Sequence, residues 1–180
     1  MQASTELDRF LAGVERRALR MAELATGNRD DALDLVQDAM MGLVKKYSDR
    51  GEQEWGALFY RILQSRIRDW YRRGRVRNRL FGWLARPADG ETDVDPIQIV
   101  ADPVSSDPAG TLGKRNAIER LEQALQQLPL RQQQAFLLRS WEGLDTAATA
   151  CAMGCSEGSV KTHYSRALHS LREQLEEHWP

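Results

Sequence analysis

The amino-acid sequence predicts an all-α protein: two small helical domains joined by a flexible acidic linker, the C-terminal one containing a helix-turn-helix. Three observations carry this. Apolar residues recur at spacings of three and four through most of the chain, and no segment alternates as a strand would. An interval holding Pro87, Pro96, Pro103 and Pro108 with several Gly and Ser interrupts that pattern, and helix cannot run through it. Near the C-terminus, Asp145, Gly154 and Ser156 are spaced as a helix cap, a left-handed turn and a second cap.

Composition sets the frame. The chain has 180 residues, 42% apolar and 28% charged, with a net charge of −1. These are the values of an ordinary globular protein, with room for one domain or two small ones. No apolar run approaches the roughly 18 residues of a membrane span, so no membrane insertion is expected. The opening MQASTELDRF lacks a basic stretch followed by an apolar core, so no secretory signal is expected either. Cys151 and Cys155 are too few for a disulfide framework, which makes a reduced, cytoplasmic setting the expectation.

Residues 5–25 read as the first helix, with Leu7, Phe10, Leu11, Val14, Ala18, Met21 and Ala25 on one face, Ser4 or Thr5 able to cap its start and Gly27 as its stop. Asn28 can cap a second helix, whose first turn holds Asp30 and Asp31 where the helix dipole favours acids. Its apolar stripe is Ala32, Leu35, Val36, Ala39, Met40, Leu43, Val44 and Tyr47, complicated by Leu33, Met41 and Gly42. Ser48 to Gly51 is turn chemistry. A third helix starts near Glu52 and runs to Arg73 or beyond, with Trp55, Leu58, Phe59, Ile62, Leu63, Ile67 and Trp70 apolar. After the linker, one stripe ends at Pro129, a second runs from Arg131 to Trp141, a short helix covers Asp145–Met153, and a last helix runs from Glu157 to about Glu177. The domain boundaries expected are 1–80, linker 81–113 and 114–180.

The near-zero net charge conceals segregation. Residues 55–80 carry eight arginines and one acid, net +7, while residues 81–113 carry net −5. Local fields rather than net charge govern binding. Eight arginines without a lysine favour nucleic-acid contact, since guanidinium suits phosphate and stacks on bases. Asp31, Asp34 and Asp38 form an acidic stripe at helical spacing, with Gln37 beside it. In the last helix, Val160, Tyr164, Ala167, Leu168 and Leu171 are spaced to pack inward. That leaves Ser156, Ser159, Lys161, Thr162, His163 and Arg166 where a reading helix meets base edges and phosphates. A plain helix pair with a solvated face fits that periodicity equally well.

These residues carry a resemblance. Leu128-Pro129, Gln134-Ala135-Phe136, Trp141-Glu142-Gly143-Leu144, Gly154-Cys155-Ser156, Gly158-Ser159-Val160-Lys161-Thr162 and Arg166-Ala167-Leu168 resemble the C-terminal domain of bacterial sigma factors, most nearly the extracytoplasmic-function group of the sigma-70 family. Asp31-Ala32-Leu33-Asp34-Leu35-Val36-Gln37-Asp38 resembles the family's second region, and Trp55 to Arg73 resembles its promoter-melting helix. Ala148 departs from the family, which usually has Glu there, and Asp145 stands where Ser or Thr is common.

The resemblance implies an alternative sigma factor that binds core RNA polymerase and directs promoter-specific initiation. It implies docking on a basic coiled coil of the largest polymerase subunit through Asp31, Asp34, Gln37 and Asp38. Minus-ten recognition and melting fall to Tyr60, Arg61, Arg66, Tyr71, Arg72 and Arg73, with Tyr60 and Tyr71 as exposed aromatic faces and residues 48–54 as the loop that holds a flipped base. Ser156, Ser159, Lys161, Thr162, His163 and Arg166 fall to the minus-thirty-five element. The implied partners are core polymerase, promoter DNA as duplex and as melted non-template strand, and an anti-sigma factor. In the family the linker threads the polymerase cleft. In the free protein, Asp89, Glu91, Asp93 and Asp95 either screen the basic helix or simply keep the linker extended and soluble.

Nothing points to an enzyme: there is no P-loop, GxSxG or HExxH, and no carboxylate pair placed for acid/base work. Seven residues separate Cys155 from His163 where a zinc finger needs about twelve, so no metal or cofactor is expected. Two rival readings are a helical interaction scaffold with no DNA role and a helix-turn-helix regulator that never joins polymerase. The acidic stripe and the arginine-rich helix argue against the regulator.

Overall fold

The computed structural model describes residues 2–85 and 112–176, with side chains over 5–74 and 117–175. The described chain is helical with no strand. The helices are α1 (Gln2–Thr26), α2 (Arg29–Tyr47), α3 (Glu52–Ala85), α4 (Leu112–Gln127), α5 (Leu130–Phe136), α6 (Thr146–Met153) and α7 (Glu157–Glu176). A π-helical turn, Leu137–Trp141, follows α5 directly. Helix α1 begins at Gln2, ahead of the caps expected at Ser4 or Thr5. Helix α3 reaches Ala85, so the acidic segment expected as linker is helical up to that residue. Residues 86–111, which include its acids, lie outside the described residues.

The local chemistry works as the sequence suggests. Gly27, at φ 66, lets the chain leave α1 in a left-handed turn that costs an L side chain about 1 kcal/mol or more. The Asn28 side chain then accepts from the backbone N–H groups of Asp30 and Asp31 at 2.9 and 3.0 Å, starting α2. Gly42, irregular in the α2 stripe, marks the close approach of α3: a Cβ there would sit 3.3 Å from Cγ2 of Ile62. The connection into α3 is pinned by the Trp55 indole, which donates to the Tyr47 carbonyl at 3.2 Å.

Helices α1, α2 and α3 bury Leu7, Val14, Met21, Leu35, Leu43, Trp55, Phe59, Leu63 and Ile67 between them. Phe10 sits edge-on to Phe59 and tilted against Trp55, closing one end of that core. Helices α4 to α7 bury Leu125, Leu128, Leu137, Leu138, Met153, Val160, Ala167 and Leu171. The two halves pack on each other, chiefly through α3 against α6 and α1 against α4.

That second neighbour changes α3. Trp55, Phe59, Tyr60, Leu63, Gln64 and Ile67 are all buried. At ~100° per residue they span roughly half the helix circumference, which α1 and α2 cover on one side, with Gln64 reaching Met21 of α1, and α6 on the other.

Candidate functional site

The acidic stripe forms one wall of a groove. Asp34, Gln37 and Asp38 are exposed and Asp31 half-buried along α2. With Leu35 and Met41 they face Trp70, Arg73 and Gly74 of α3 across an open volume of about 530 Å³. Met41, 53% exposed, and Val44 put apolar surface beside the acids. A surface that joins carboxylates to an exposed methionine suits a basic partner with an apolar stem, because Lys and Arg bring both.

Along α3, Arg61, Arg66, Arg72 and Arg73 are exposed, as a phosphate-contacting face requires. Tyr71 is half-buried and sits edge-on to Trp70, with ring centroids 5.4 Å apart. Tyr60 differs from expectation. It is 2% exposed and packs edge-on against Phe59 at 5.2 Å. Its face is taken because the C-terminal half covers that side of α3, a neighbour that helical spacing cannot announce. Burial, reinforced by the negative Glu142 carboxylate beside it, pushes the Tyr60 phenol far above its ordinary pKa.

The helix-turn-helix forms as the caps predict. Asp145 accepts from the Ala148 N–H at 2.7 Å to start α6. Gly154, φ 63 and ψ 44, ends α6 in the left-handed conformation, and the Cys155 N–H closes on the Ala150 carbonyl at 3.1 Å. Ser156 then caps α7 by accepting from the Ser159 N–H at 3.1 Å. The reading helix is braced from behind: the Phe136 and Tyr164 rings stack, and the Arg139 guanidinium lies over Tyr164 at 5.8 Å.

The residues expected to read DNA divide in two. Lys161, Thr162 and Arg166 are exposed, while Ser159 and His163 are half-buried. The hydroxyls are engaged locally: Ser156 with Ser159 at 2.9 Å, and Thr162 donating to the Gly158 carbonyl at 3.0 Å. These bonds orient the hydroxyls, and the spare capacity of each oxygen stays available to a base or phosphate. Burial, then repulsion from Arg131 and Arg166, holds the His163 imidazole below its ordinary value. Exposed Ser165 and His169 extend the same face.

One charged residue escaped sequence reasoning. Glu142 follows the π-turn, and its side chain is 3% exposed. It is covered by the N-terminal half, with Arg17 Nε 3.6 Å from its Oε1.

Comparison with known proteins decides the family. The model for sigma-70 region 2 matches residues 7–77, and that for sigma-70 region 4 matches residues 118–171. An RNA polymerase sigma-E factor of Streptomyces avermitilis is 31% identical over 95% of this chain and 86% of its own length. The chain belongs to the extracytoplasmic-function group of the sigma-70 family. A sigma-E factor of Streptomyces coelicolor is also 31% identical, over 94% of this chain and 86% of its own. The extracytoplasmic-function sigma factor SigD of Mycobacterium tuberculosis is 26% identical over 81% and 62%.

The fold of this sigma factor matches that of a solved one, RpoE of Bartonella quintana in complex with the anti-sigma factor NepR. The TM-score is 0.62 at 23% identity, covering 95% of this chain and 99% of that one. The two family models and the sigma-E relatives make it an alternative sigma factor, from a family of non-catalytic initiation factors. Because region 2 is matched alongside region 4, a helix-turn-helix regulator that does not join polymerase is not favoured. Among the described residues, no helix of this sigma factor is long and apolar enough to cross a membrane.

Proposed function

We propose the following division of labour for this sigma factor. Residues 1–80 form the polymerase-docking and minus-ten domain, residues 81–113 the acidic linker, and residues 114–180 the minus-thirty-five domain. Asp31, Asp34, Gln37 and Asp38 dock on a basic element of core polymerase. Arg61, Arg66, Arg72 and Arg73 hold the phosphates of the minus-ten region, with Tyr71 offered to unstacked bases and residues 48–54, the turn and the first residues of α3, forming the base-holding segment; buried Tyr60 has no such role. Lys161 and Arg166, with the hydroxyls of Ser156, Ser159 and Thr162 and the His163 ring, read the minus-thirty-five duplex.

The observation that carries this reading is the groove on α2. Asp34 and Asp38 are exposed, form no ion pair among the described residues and lie beside exposed Met41. A solvated face has no reason to place methionine there, whereas a docking face does.

The reading assigns the chain no reaction of its own, since phosphodiester chemistry belongs to polymerase. It places the protein in the cytoplasm with the polymerase. It also gives the protein an anti-sigma factor as its negative regulator.

Run-off transcription with purified core polymerase over a promoter library tests the proposal. Transcripts specific to this factor are expected, and they disappear when Asp34 and Asp38 are reversed to Lys. Transcription no higher than that of core polymerase alone overturns it.

A further inference from the structure

Four arginines gather where α3 meets the end of α6 and the start of α7. Arg68 of α3 and Arg131 of α5 each place Nη1 2.8 Å from the Met153 carbonyl oxygen. The two nitrogens are therefore no more than twice that distance apart. Arg72 lies close enough to repel Arg68, and Arg131 and Arg166 lie close enough to repel a proton on His163. Among the described residues no ion pair involves Arg68, Arg72, Arg131 or Arg166. Asp69 is the one carboxylate whose charge reaches Arg68, and it forms no ion pair with it.

Like charges this close repel, so the cluster is unfavourable as it stands. The Met153 carbonyl offsets only part of that, because a helix end carries about half a unit charge. A paired acid or a bound anion would offset the rest, and the described residues supply no paired acid.

Donors remain for an anion. Each guanidinium carries several N–H groups in a planar fork. Arg68 uses one on Met153, and Arg131 uses its Nη1 on Met153 and Gln134. Arg68 Nη2 sits beside Gly154, which is exposed and has no side chain: a Cβ there would be 3.7 Å away. The approach from solvent is open at that point. Chain continuity through Cys155 brings the N-terminus of α7, the positive end of its dipole, to the same edge.

The structure assigns this junction an oxyanion site, in which Arg68 and Arg131 clamp the diphosphate group of a small ligand and Arg72 and Arg166 stand at its rim. Guanidinium matches phosphate oxygens two at a time, and two guanidiniums at this spacing reach oxygens of one group. A diphosphate suits several cations better than a backbone diester, because it brings more charge in less space. The site needs both halves of the chain, since each supplies one prong. A ligand bound there stabilises the folded chain by mass action.

The test uses the full chain without polymerase, DNA or divalent cations, and inorganic pyrophosphate as the probe. Sodium chloride holds ionic strength constant, so that general screening is equal in every sample. Calorimetric titration should show saturable binding, and the melting midpoint should rise with pyrophosphate. Arg68→Gln keeps a donor for the Met153 carbonyl but removes the charge, and should weaken binding at least about tenfold. Arg131→Lys keeps the charge but loses the fork, and should weaken it by a similar factor. Arg16→Gln removes the same charge from an exposed position on α1 and should leave the affinity unaltered. Should a variant fail to fold, the side-chain N–H signals of Arg68 and Arg131 in NMR spectra of the unaltered protein should still move together on titration.

Dimethyl phosphate, a stand-in for nucleic-acid backbone, should bind at least about tenfold more weakly than pyrophosphate. Adenosine diphosphate distinguishes the two sources of the group: tighter binding than pyrophosphate identifies a nucleotide, weaker binding the inorganic ion, and either keeps the site. Three results overturn it: no saturable pyrophosphate binding, dimethyl phosphate binding as tightly as pyrophosphate, or Arg68→Gln binding no more weakly than Arg16→Gln. No arm involves promoter DNA or polymerase, so failure here leaves the sigma-factor reading untouched.

Discussion

Arg68 and Arg131 donate to one acceptor. Each guanidinium places Nη1 2.8 Å from the Met153 carbonyl oxygen, Arg131 from within the C-terminal half and Arg68 from across the domain boundary. The carbonyl ends α6, where the helix dipole leaves partial negative charge that two cations can share. The sharing has an energetic cost: burial, then repulsion from Arg131, holds Arg68 below the ordinary arginine pKa.

The two donors should not be equivalent. Arg131 ties α5 to the end of α6 inside one domain, so Arg131→Ala should lower unfolding stability by about 1.5–3 kcal/mol, the value of a charged hydrogen bond. Arg68→Ala should cost less, because its bond crosses between the halves and burial already disfavours its charged form. Urea denaturation of both single variants and the double variant checks this, and the double should lose more than the two singles combined.

Gly154→Ala should destabilise the helix-turn-helix through the backbone alone. Its φ is 63°, and an added Cβ would meet only Arg68 Nη2 at 3.7 Å, an ordinary contact. The expected cost is about 1–2 kcal/mol. Chemical denaturation reads that cost, and a neutral substitution contradicts the turn geometry.

Reversal of Asp34 and Asp38 to Lys should separate docking from folding. Both side chains are exposed and lie four residues apart, where like charges repel mildly. Stability should change by less than about 0.5 kcal/mol, while affinity for core polymerase falls at least about tenfold. Thermal melting and a competition assay against unaltered protein measure the two effects.

His163 gives a pH dependence with a defined sign. Its folded-state pKa is lowered from 6.5, so the unfolded chain binds the proton more readily. The neutral ring's contribution is therefore present above about pH 6.5 and is lost as pH falls toward the folded value. Denaturation midpoints should rise with pH through that window. The rise should be smaller in His163→Gln, where no imidazole titrates beside Arg131 and Arg166.

Arg72→Ala and Arg73→Ala should weaken DNA binding by similar factors on any sequence. Each should reduce the slope of log affinity against log salt by about 1, as expected for a phosphate contact. A loss confined to one promoter sequence would instead identify base readout.

Much of the fold was legible because its signals are local. Asn28, Asp145 and Ser156 cap helices through side-chain geometry fixed within three residues, and Gly27 and Gly154 turn the chain at single positions. The acidic stripe was legible as well, since a helix sorts its faces by spacing. Tyr60 was misjudged and Gln64, Gln133 and Glu142 were passed over for a shared reason. Their burial depends on a partner far away in sequence: Gln133 reaches Leu24, and Glu142 reaches Arg17. Spacing tells which residues of a helix share a face. It does not tell how many faces will be covered.

The π-turn at Leu137–Trp141 is where that distant partner becomes reachable. The Glu142 N–H bonds the Leu137 carbonyl at 3.0 Å, five residues back, one more than an α-helix spans. The surplus residue rotates all that follows by about 100° relative to an uninterrupted helix. Removing one residue from this stretch would leave the helix-turn-helix motif intact in sequence yet swing Glu142 out of register with Arg17. A single-residue deletion there is thus a change of angle, not a loss of contact chemistry: chain length alone sets where this corner of the C-terminal half points.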